Sequence, residues 1–433
     1  FSIWNMMMGS SLLSVPWAFQ QAGLAQSLIV HFLMATIAVY TAYIILKCAD
    51  KLSSKQMPEL IDMCVTLIGP WTTWLNIIAS GIVLGGALVV YWILMVQLLY
   101  RSINSIYYFA EGGPLNQTFT KLQTEINKSE CSSPSDTMEL GKLPCNCFTN
   151  DLRLQLTLPD WWQRLVLPFV FIPFFLPLLQ LRRITFFARL GALGTFSVAV
   201  LVIAVLYKCA TWGFNMNFVD PTNVHYIPQF RSSVASLSGV LAMAFFLHNS
   251  LITIFKHNEH QKNNVRDLLI GYTLAFLTYL VIAIGVYLSF PYHKFCIKQN
   301  FLDNLSFGDE VALAADVVLF VRMLTVFPMV AYIFRVQVFT AIMGVDYPGK
   351  WRLALFNILL IAACVMAAVF FPNVGDIIRY AGAFCGMIIM FVLPCAVQYI
   401  MKRRQGPVNM GQLLILIFIS LVGIVNFVAQ FFL

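Results

Sequence analysis

The sequence predicts an all-α polytopic membrane protein, and three observations carry that expectation. Of 433 residues, 60% are hydrophobic and only 11% are charged. With a mean hydropathy of +0.79, this balance is foreign to soluble domains. The apolar residues also fall into eleven segments, roughly 1–21, 24–46, 71–100, 162–181, 190–211, 234–255, 268–290, 312–336, 352–371, 378–400 and 411–432. Each is near the ~20 residues that cross a bilayer. Finally, the basic residues are sorted between the short loops. With a cytosolic N-terminus, fifteen Lys and Arg lie in cytosolic loops, among them Lys47, Arg182, Lys262, Lys350 and Arg403. Five lie opposite: Lys208, Arg231, Lys294, Lys298 and Arg379. That is a positive-inside distribution.

The loops 101–161 and 291–311 are then both non-cytosolic, and two other signals agree. The N-x-S/T sequons at Asn116, Asn127 and Asn304 fall in these loops, as glycosylation requires. So do Cys131, Cys145, Cys147 and Cys296, as expected of an oxidising compartment. Four cysteines allow three connectivities. A bridge from the long loop to Cys296 is favoured over zinc, because no histidine stands at ligand spacing.

Segment 1 contains Asn5-Met-Met-Met-Gly-Ser-Ser-Leu-Leu-Ser-Val-Pro-Trp17. Gly9, Ser10 and Ser11 are weak helix formers in mid-segment, and Asn5 puts an amide at membrane depth. Opening the helix at Met7–Ser11 exposes carbonyls on one side and N–H groups on the other. The N–H end (Gly9, Ser10, Ser11) suits a carboxylate. The carbonyl end, through Met6 and Met7 with the Asn5 amide, suits a cation or an ammonium group. The bland alternative is a small-residue packing seam. If segments 1–5 and 6–10 are inverted repeats, segment 6 is the counterpart of segment 1, and its polar pair His248-Asn249 marks where a second break falls. A packing histidine is the alternative there, as for His31. The repeats then span 1–211 and 234–400, with a last helix at 411–432.

Three further features stand out. Gly81, Gly85 and Gly86 predict close helix packing in segment 3. Glu59–Leu67 reads as an amphipathic interfacial helix. In segment 8, Thr325 offers a hydroxyl to a cation opposite Asn5, unless it bonds its own backbone. Arg322, about three turns into the same segment, needs a partner or a water-filled path. Asp316 and Asp376 are candidates for that partner, although Asp376 and Arg379 are spaced to pair with each other.

No basic stripe suggests nucleic acid, no nucleophile–base set or metal motif suggests an enzyme, and no filter-like run suggests a channel. The first residue is Phe, and few residues precede Asn5. The chain is therefore expected to be trimmed of a cytosolic N-terminal segment. No cleavable signal peptide is visible.

The strings NMMMGSSLLSVPW (5–17), AFFLHNSLIT (244–253), NNVRDL (263–268), CIKQNFLDN (296–304), FPNVGDIIRYAGAFCG (371–386) and VNFVAQFF (from 425) occur in collinear order along nearly the whole chain. In them the chain resembles the sodium-coupled neutral amino acid transporters of the amino acid/auxin permease group, most nearly their lysosomal, arginine-sensing branch. The resemblance implies a leucine-transporter-type fold, a 5+5 inverted repeat of eleven transmembrane helices with the eleventh at the C-terminus. It implies substrate binding at the segment 1 break, and sodium, with no organic cofactor, at Asn5 and Thr325. A disulfide reaching Cys296 is implied too. It further implies a lysosomal or late endosomal membrane, luminal sensing of arginine, and movement of leucine and other neutral amino acids. Signalling to the target-of-rapamycin pathway would run through Rag GTPases and Ragulator on the N-terminal tail. The branch typically reads NTMMGTS where this chain has Met6 and Ser10 in place of two threonines. It also has an Arg and a Gln where this chain has Asp316 and Arg322.

Overall fold

The computed structural model describes residues 2–52, 57–110, 159, 161–180, 193–255, 258, 260–345 and 347–432. Among them, nine helices are long and apolar enough to cross a membrane. The two predicted segments missing from that set are segments 1 and 6, and both are divided. Segment 1 is α1 (Ser2–Met7) followed by α2 (Ser11–Ala22). Segments 2 and 3 are α3 (Leu24–Leu52) and α5 (Trp71–Ala110), with the short α4 (Leu60–Leu67) between them. α6 (Trp162–Leu179) and α7 (Leu193–Trp212) follow. Segment 6 is α8 (Val234–Ala244) and α9 (Leu251–Phe255). The rest are α10 (Asn264–Ser289), α11 (Glu310–Met343), α12 (Lys350–Phe370), α13 (Val374–Gln405) and α14 (Met410–Ala429).

Helix ends overrun the predicted spans where the chain caps itself outside the bilayer. α11 starts at Glu310 because Asp309 accepts from Val311 N and Ala312 N, and it stops at Gly344, whose φ of 68° closes the last turn. α4 forms as its composition predicts. It buries Leu60, Met63, Cys64 and Leu67 on one stripe, and the Glu59 N–H donates to Asp62 Oδ2 at 3.2 Å. Thr253 Oγ1 donates to Glu59 Oε1 at 2.8 Å, tying α4 to α9.

The strings that carry the resemblance meet one another in space. Gln299 accepts from Gly375 N at 2.9 Å and donates to Asp376 at 3.0 Å, so one loop string clamps the start of α13. Asp376 also holds Arg379 at 2.9 Å, the i, i+3 pair that the spacing predicts. Ser238 donates to Asn426 at 2.6 Å, and Gln430 donates to Ala235 O at 2.7 Å, locking α14 onto α8.

The glycines of segment 3 pack against two helices: Cβ positions at Gly81 and Gly85 lie 3.9 and 3.8 Å from Phe334 of α11, and one at Gly86 lies 3.4 Å from Ala381 Cβ of α13. A tighter crossing, which the sequence does not single out, lies elsewhere. The tight crossing joins α8 and α13, where a Cβ on Gly382 would lie 2.4 Å from Gly239 O, and one on Gly239 would lie 2.7 Å from Arg379 O. Both obstacles are backbone, so neither helix can yield locally. Gly382→Ala is expected to lower the melting temperature and expression in a fluorescence-detected sizing assay, while Gly85→Ala leaves both nearly unchanged. Equal tolerance of the two would show that α8 and α13 are not held this closely.

Asn116, Asn127, Cys131, Cys145 and Cys147 lie outside the described residues. Among the described cysteines, Cys48, Cys64, Cys209, Cys364, Cys385 and Cys395 are free thiols, and Cys296 is not among them. The Asn304 side chain donates to Cys296 O at 2.7 Å and accepts from Lys298 N at 2.9 Å, so it shapes the loop around that cysteine.

Candidate functional site, a broken helix at membrane depth

The helix of segment 1 stops after Met7, where the sequence loses helix-forming residues. Met8 N still donates to Trp4 O at 3.0 Å, and then Gly9 N turns onto Met7 O at 2.8 Å. α2 restarts with Leu12 N to Gly9 O and Leu13 N to Ser10 O at 3.3 and 3.1 Å. The Ser10 and Ser11 N–H groups thus head the second half-helix with no recorded backbone acceptor among the described residues. Gly9 N, expected to join them, is turned inward instead. The break is closed over, with Met8 fully buried and Ser10 and Ser11 only 9% and 4% exposed.

Side chains from two other helices hold the break open. Tyr279 of α10 donates from its hydroxyl to Met7 O at 2.6 Å and pairs with Ser11 Oγ at 2.9 Å, spanning both sides of the interruption. The same hydroxyl lies 3.4 Å from Ala244 O, the last residue of α8. Tyr272, two turns earlier, reaches Phe245 O at 3.3 Å. One face of α10 therefore presents two hydroxyls to the loose carbonyls of both breaks. Trp4 Nε1 donates to Thr278 Oγ1 at 3.0 Å and fastens α1 to the same helix. From α11, the Arg322 guanidinium donates through Nη2 to Met8 O.

The break in segment 6 runs from Phe245 to Ser250, as the inverted-repeat argument predicts. Its polar pair does not line the gap in the expected way. His248 is fully buried, with Nε2 paired to Thr41 Oγ1 of α3 at 2.8 Å, the packing role weighed for it. Asn249 accepts from Ser250 Oγ at 3.2 Å. His31 packs likewise, against Phe276 O. Met6 is 53% exposed and points away from the break, whereas Met7 is buried within it. Asn5 Oδ1 is buried without a hydrogen-bond partner and faces Gly194 of α7 at 3.1 Å from the Cβ position there. Thr325 donates to Arg322 O at 2.8 Å, along its own helix.

Tyr279 is the functional residue that the sequence does not single out, and the candidate partners of Arg322 lie elsewhere. A tyrosine at the centre of segment 7 was a signal in plain sight: a hydroxyl at membrane depth needs an acceptor. Neither proposed carboxylate meets Arg322. Asp316 is bound by Arg101 of α5 at 3.0 Å, and Asp376 by Arg379.

Segments 1 and 6 are thus both interrupted, and hydroxyls of α10 bond to carbonyls at each interruption. The family model described as transmembrane amino acid transporter protein matches residues 1–120 and 148–433. The chain is 38% identical over 440 residues to neutral amino acid transporter 9 of Xenopus laevis, covering all of this chain and 79% of that protein. It is 37% identical over 445 residues to the protein of that name from Danio rerio, covering 80% of it. It is 33% identical over 463 residues to the sodium-coupled neutral amino acid transporter 9 homolog of Caenorhabditis elegans, covering 72% of it. A match of this extent, over a chain with a broken helix at membrane depth, places the protein in the transmembrane amino acid transporter family, as a multi-pass membrane transporter and not an enzyme.

Proposed function

We propose that this chain carries amino acids across a membrane by alternating access around the segment 1 break. One observation carries the reading: among the described residues, the Ser10 and Ser11 N–H groups lack backbone acceptors at the head of α2. They suit an amino acid carboxylate, with the positive end of the α2 dipole behind them. The ammonium group is directed to the carbonyls of Met7 and of the segment 6 break, where Ala244 O and Phe245 O end α8. Because the break is buried, substrate enters only after the helices around it part, which is what two rocking repeats accomplish. The frame for this is the eleven-helix 5+5 arrangement, repeats 1–211 and 234–400, with both breaks at equivalent places. Substrate residues are Asn5, Met7, Gly9, Ser10 and Ser11. Met6, His248 and Asn249 act from outside the contact shell.

The remaining elements of the reading rest on the resemblance and on the relatives' names. The membrane is lysosomal or late endosomal, with glycans at Asn116, Asn127 and Asn304 and a bridge from Cys296 to one of Cys131, Cys145 and Cys147 on the luminal side. Arginine is sensed there, leucine and other neutral amino acids are moved, and Rag GTPases and Ragulator read the state through an N-terminal tail. Sodium is the expected coupling ion. Asn5 Oδ1 is unpartnered and the lone pairs of Thr325 Oγ1 remain open, so each oxygen by itself suits a cation. The charge does not fit. Arg322 brings a fixed positive group to Met8 O, one turn from Asn5 and one turn from Thr325. No step here is routed through sodium.

The test is uptake of labelled leucine and arginine into liposomes holding the purified protein. Saturable uptake that unlabelled leucine competes away is expected. Saturable binding with no flux of either amino acid would overturn transport in favour of a receptor. Neither binding nor flux would remove the break as an amino acid site.

A further inference from the structure

The carbonyl end of the segment 1 break already holds a cation that belongs to the chain. The Arg322 side chain is half-buried, and its guanidinium donates to Met8 O. The hydroxyls of Tyr91 and Tyr279 are close enough to act on it electrostatically. Among the described residues both nearby aspartates are paired elsewhere, Asp316 with Arg101 and Asp376 with Arg379. A buried charge without a counter-ion persists only where oriented dipoles replace its water. The end of α1 offers them, because its last carbonyls have no partner further along the helix. The arrangement is therefore a salt bridge in which the negative partner is a helix terminus.

The oxygens that would otherwise hold a free cation belong to the same two segments. Asn5 lies one turn before Met8 in segment 1, with Oδ1 buried and without a hydrogen-bond partner among the described residues. Thr325 lies one turn after Arg322 on α11 and donates to the Arg322 carbonyl. A sodium ion at the carbonyl end that the guanidinium already occupies would be repelled by it. The guanidinium and a sodium ion are alternatives.

We propose that Arg322 is a tethered substitute for a coupling sodium ion: its guanidinium takes the place of the ion at the carbonyl end of the broken segment 1, so that amino acid binding by this chain is independent of sodium. This deepens the reading of the break as the amino acid site and rests on it. The positive group neutralises the carbonyl end of the break in the closed arrangement, so closure around the substrate needs no ion from outside. A tethered cation also moves with α11, which makes the contact between Arg322 and Met8 O a latch between α11 and α1.

The experiment uses the purified full chain in lipid nanodiscs. Binding of labelled sodium, binding of labelled leucine and the melting temperature are each measured in sodium chloride and in choline chloride. For the wild type, no saturable sodium binding is expected, and leucine affinity and melting temperature are equal in the two salts. Arg322→Gln removes the charge and keeps a polar side chain. It is expected to gain saturable sodium binding, a higher melting temperature in sodium than in choline, and leucine affinity at least tenfold better with sodium. Arg322→Lys keeps a tethered cation and is expected to ignore sodium. Wild-type sodium binding that Asn5→Ala abolishes would overturn the proposal, whether or not Arg322→Gln folds. So would an Arg322→Gln protein that folds, binds leucine and remains indifferent to sodium. If the sodium results come out as expected but no variant binds leucine in either salt, the tethered cation stands and the amino acid site is what fails.

Discussion

Tyr279→Phe is expected to reduce leucine uptake in proteoliposomes by roughly ten- to a hundredfold while the protein still folds. The hydroxyl is the one group that touches both sides of the segment 1 break, donating to Met7 O and pairing with Ser11 Oγ. It also approaches Ala244 O at the end of α8. Phenylalanine keeps the ring in its buried place but leaves Ser11 Oγ without this partner and Met7 O with only the Gly9 N–H. Each hydrogen bond lost in a buried setting weakens the arrangement by about 1–1.5 kcal/mol. If both bonds help to hold the geometry that receives the carboxylate, the loss in rate follows at about tenfold per 1.4 kcal/mol. The melting temperature should fall modestly, since the ring, which supplies most of the burial, remains. Unchanged uptake would show that the break keeps its shape without the tyrosine. Tyr272→Phe, which removes a single longer bond to Phe245 O at 3.3 Å, should have a smaller effect.

Breaking the ion pair between Arg101 and Asp316 should have the largest effect on stability. The two side chains are 5% and 0% exposed, 3.0 Å apart, and join α5 to α11. Arg101 also donates to Leu305 O at 3.2 Å, so it fastens the loop that precedes α11. Removing either partner leaves an uncompensated charge in the core, at a cost of about 3–5 kcal/mol. Asp316→Ala and Arg101→Ala are each expected to lower the melting temperature sharply or prevent purification. Replacing both with apolar residues of similar volume, Arg101→Met with Asp316→Leu, should recover much of the loss, because no lone charge remains. A double variant as unstable as the sum of the two singles would mean that the residues act separately.

Much of this architecture was legible in one dimension because a bilayer imposes strong rules. The spans follow from hydropathy, and the loop sides from the positions of Lys and Arg. The break in segment 1 was readable because Gly9, Ser10 and Ser11 are poor helix residues in a place where unpaired backbone must have a reason. The break in segment 6 carried no glycine or proline, and it was found only by supposing that the two halves repeat. Knowing that a residue is polar at membrane depth does not tell which neighbour satisfies it. His248 turned to Thr41 on α3, some two hundred residues away in the chain, and Thr325 to its own helix. The tight crossing of Gly239 and Gly382 shows the same limit. Small residues occur at many sites, and only the packed pair reveals which of them admits a backbone.

Composition and hydropathy along the chain are enough to establish that this is a helical, multi-pass membrane protein and that segment 1 is interrupted near Gly9. Those properties depend on local composition against a fixed solvent, and they can be summed along the chain. Helix packing decides the rest: that Tyr279 bridges the interruption, that Asp316 belongs to Arg101, and that Arg322 rests on the Met8 carbonyl. Each of those is a choice among polar groups that the sequence leaves equally able to pair. In a core where an unpaired charge or hydroxyl is costly, the choice is made by which helices pack side by side.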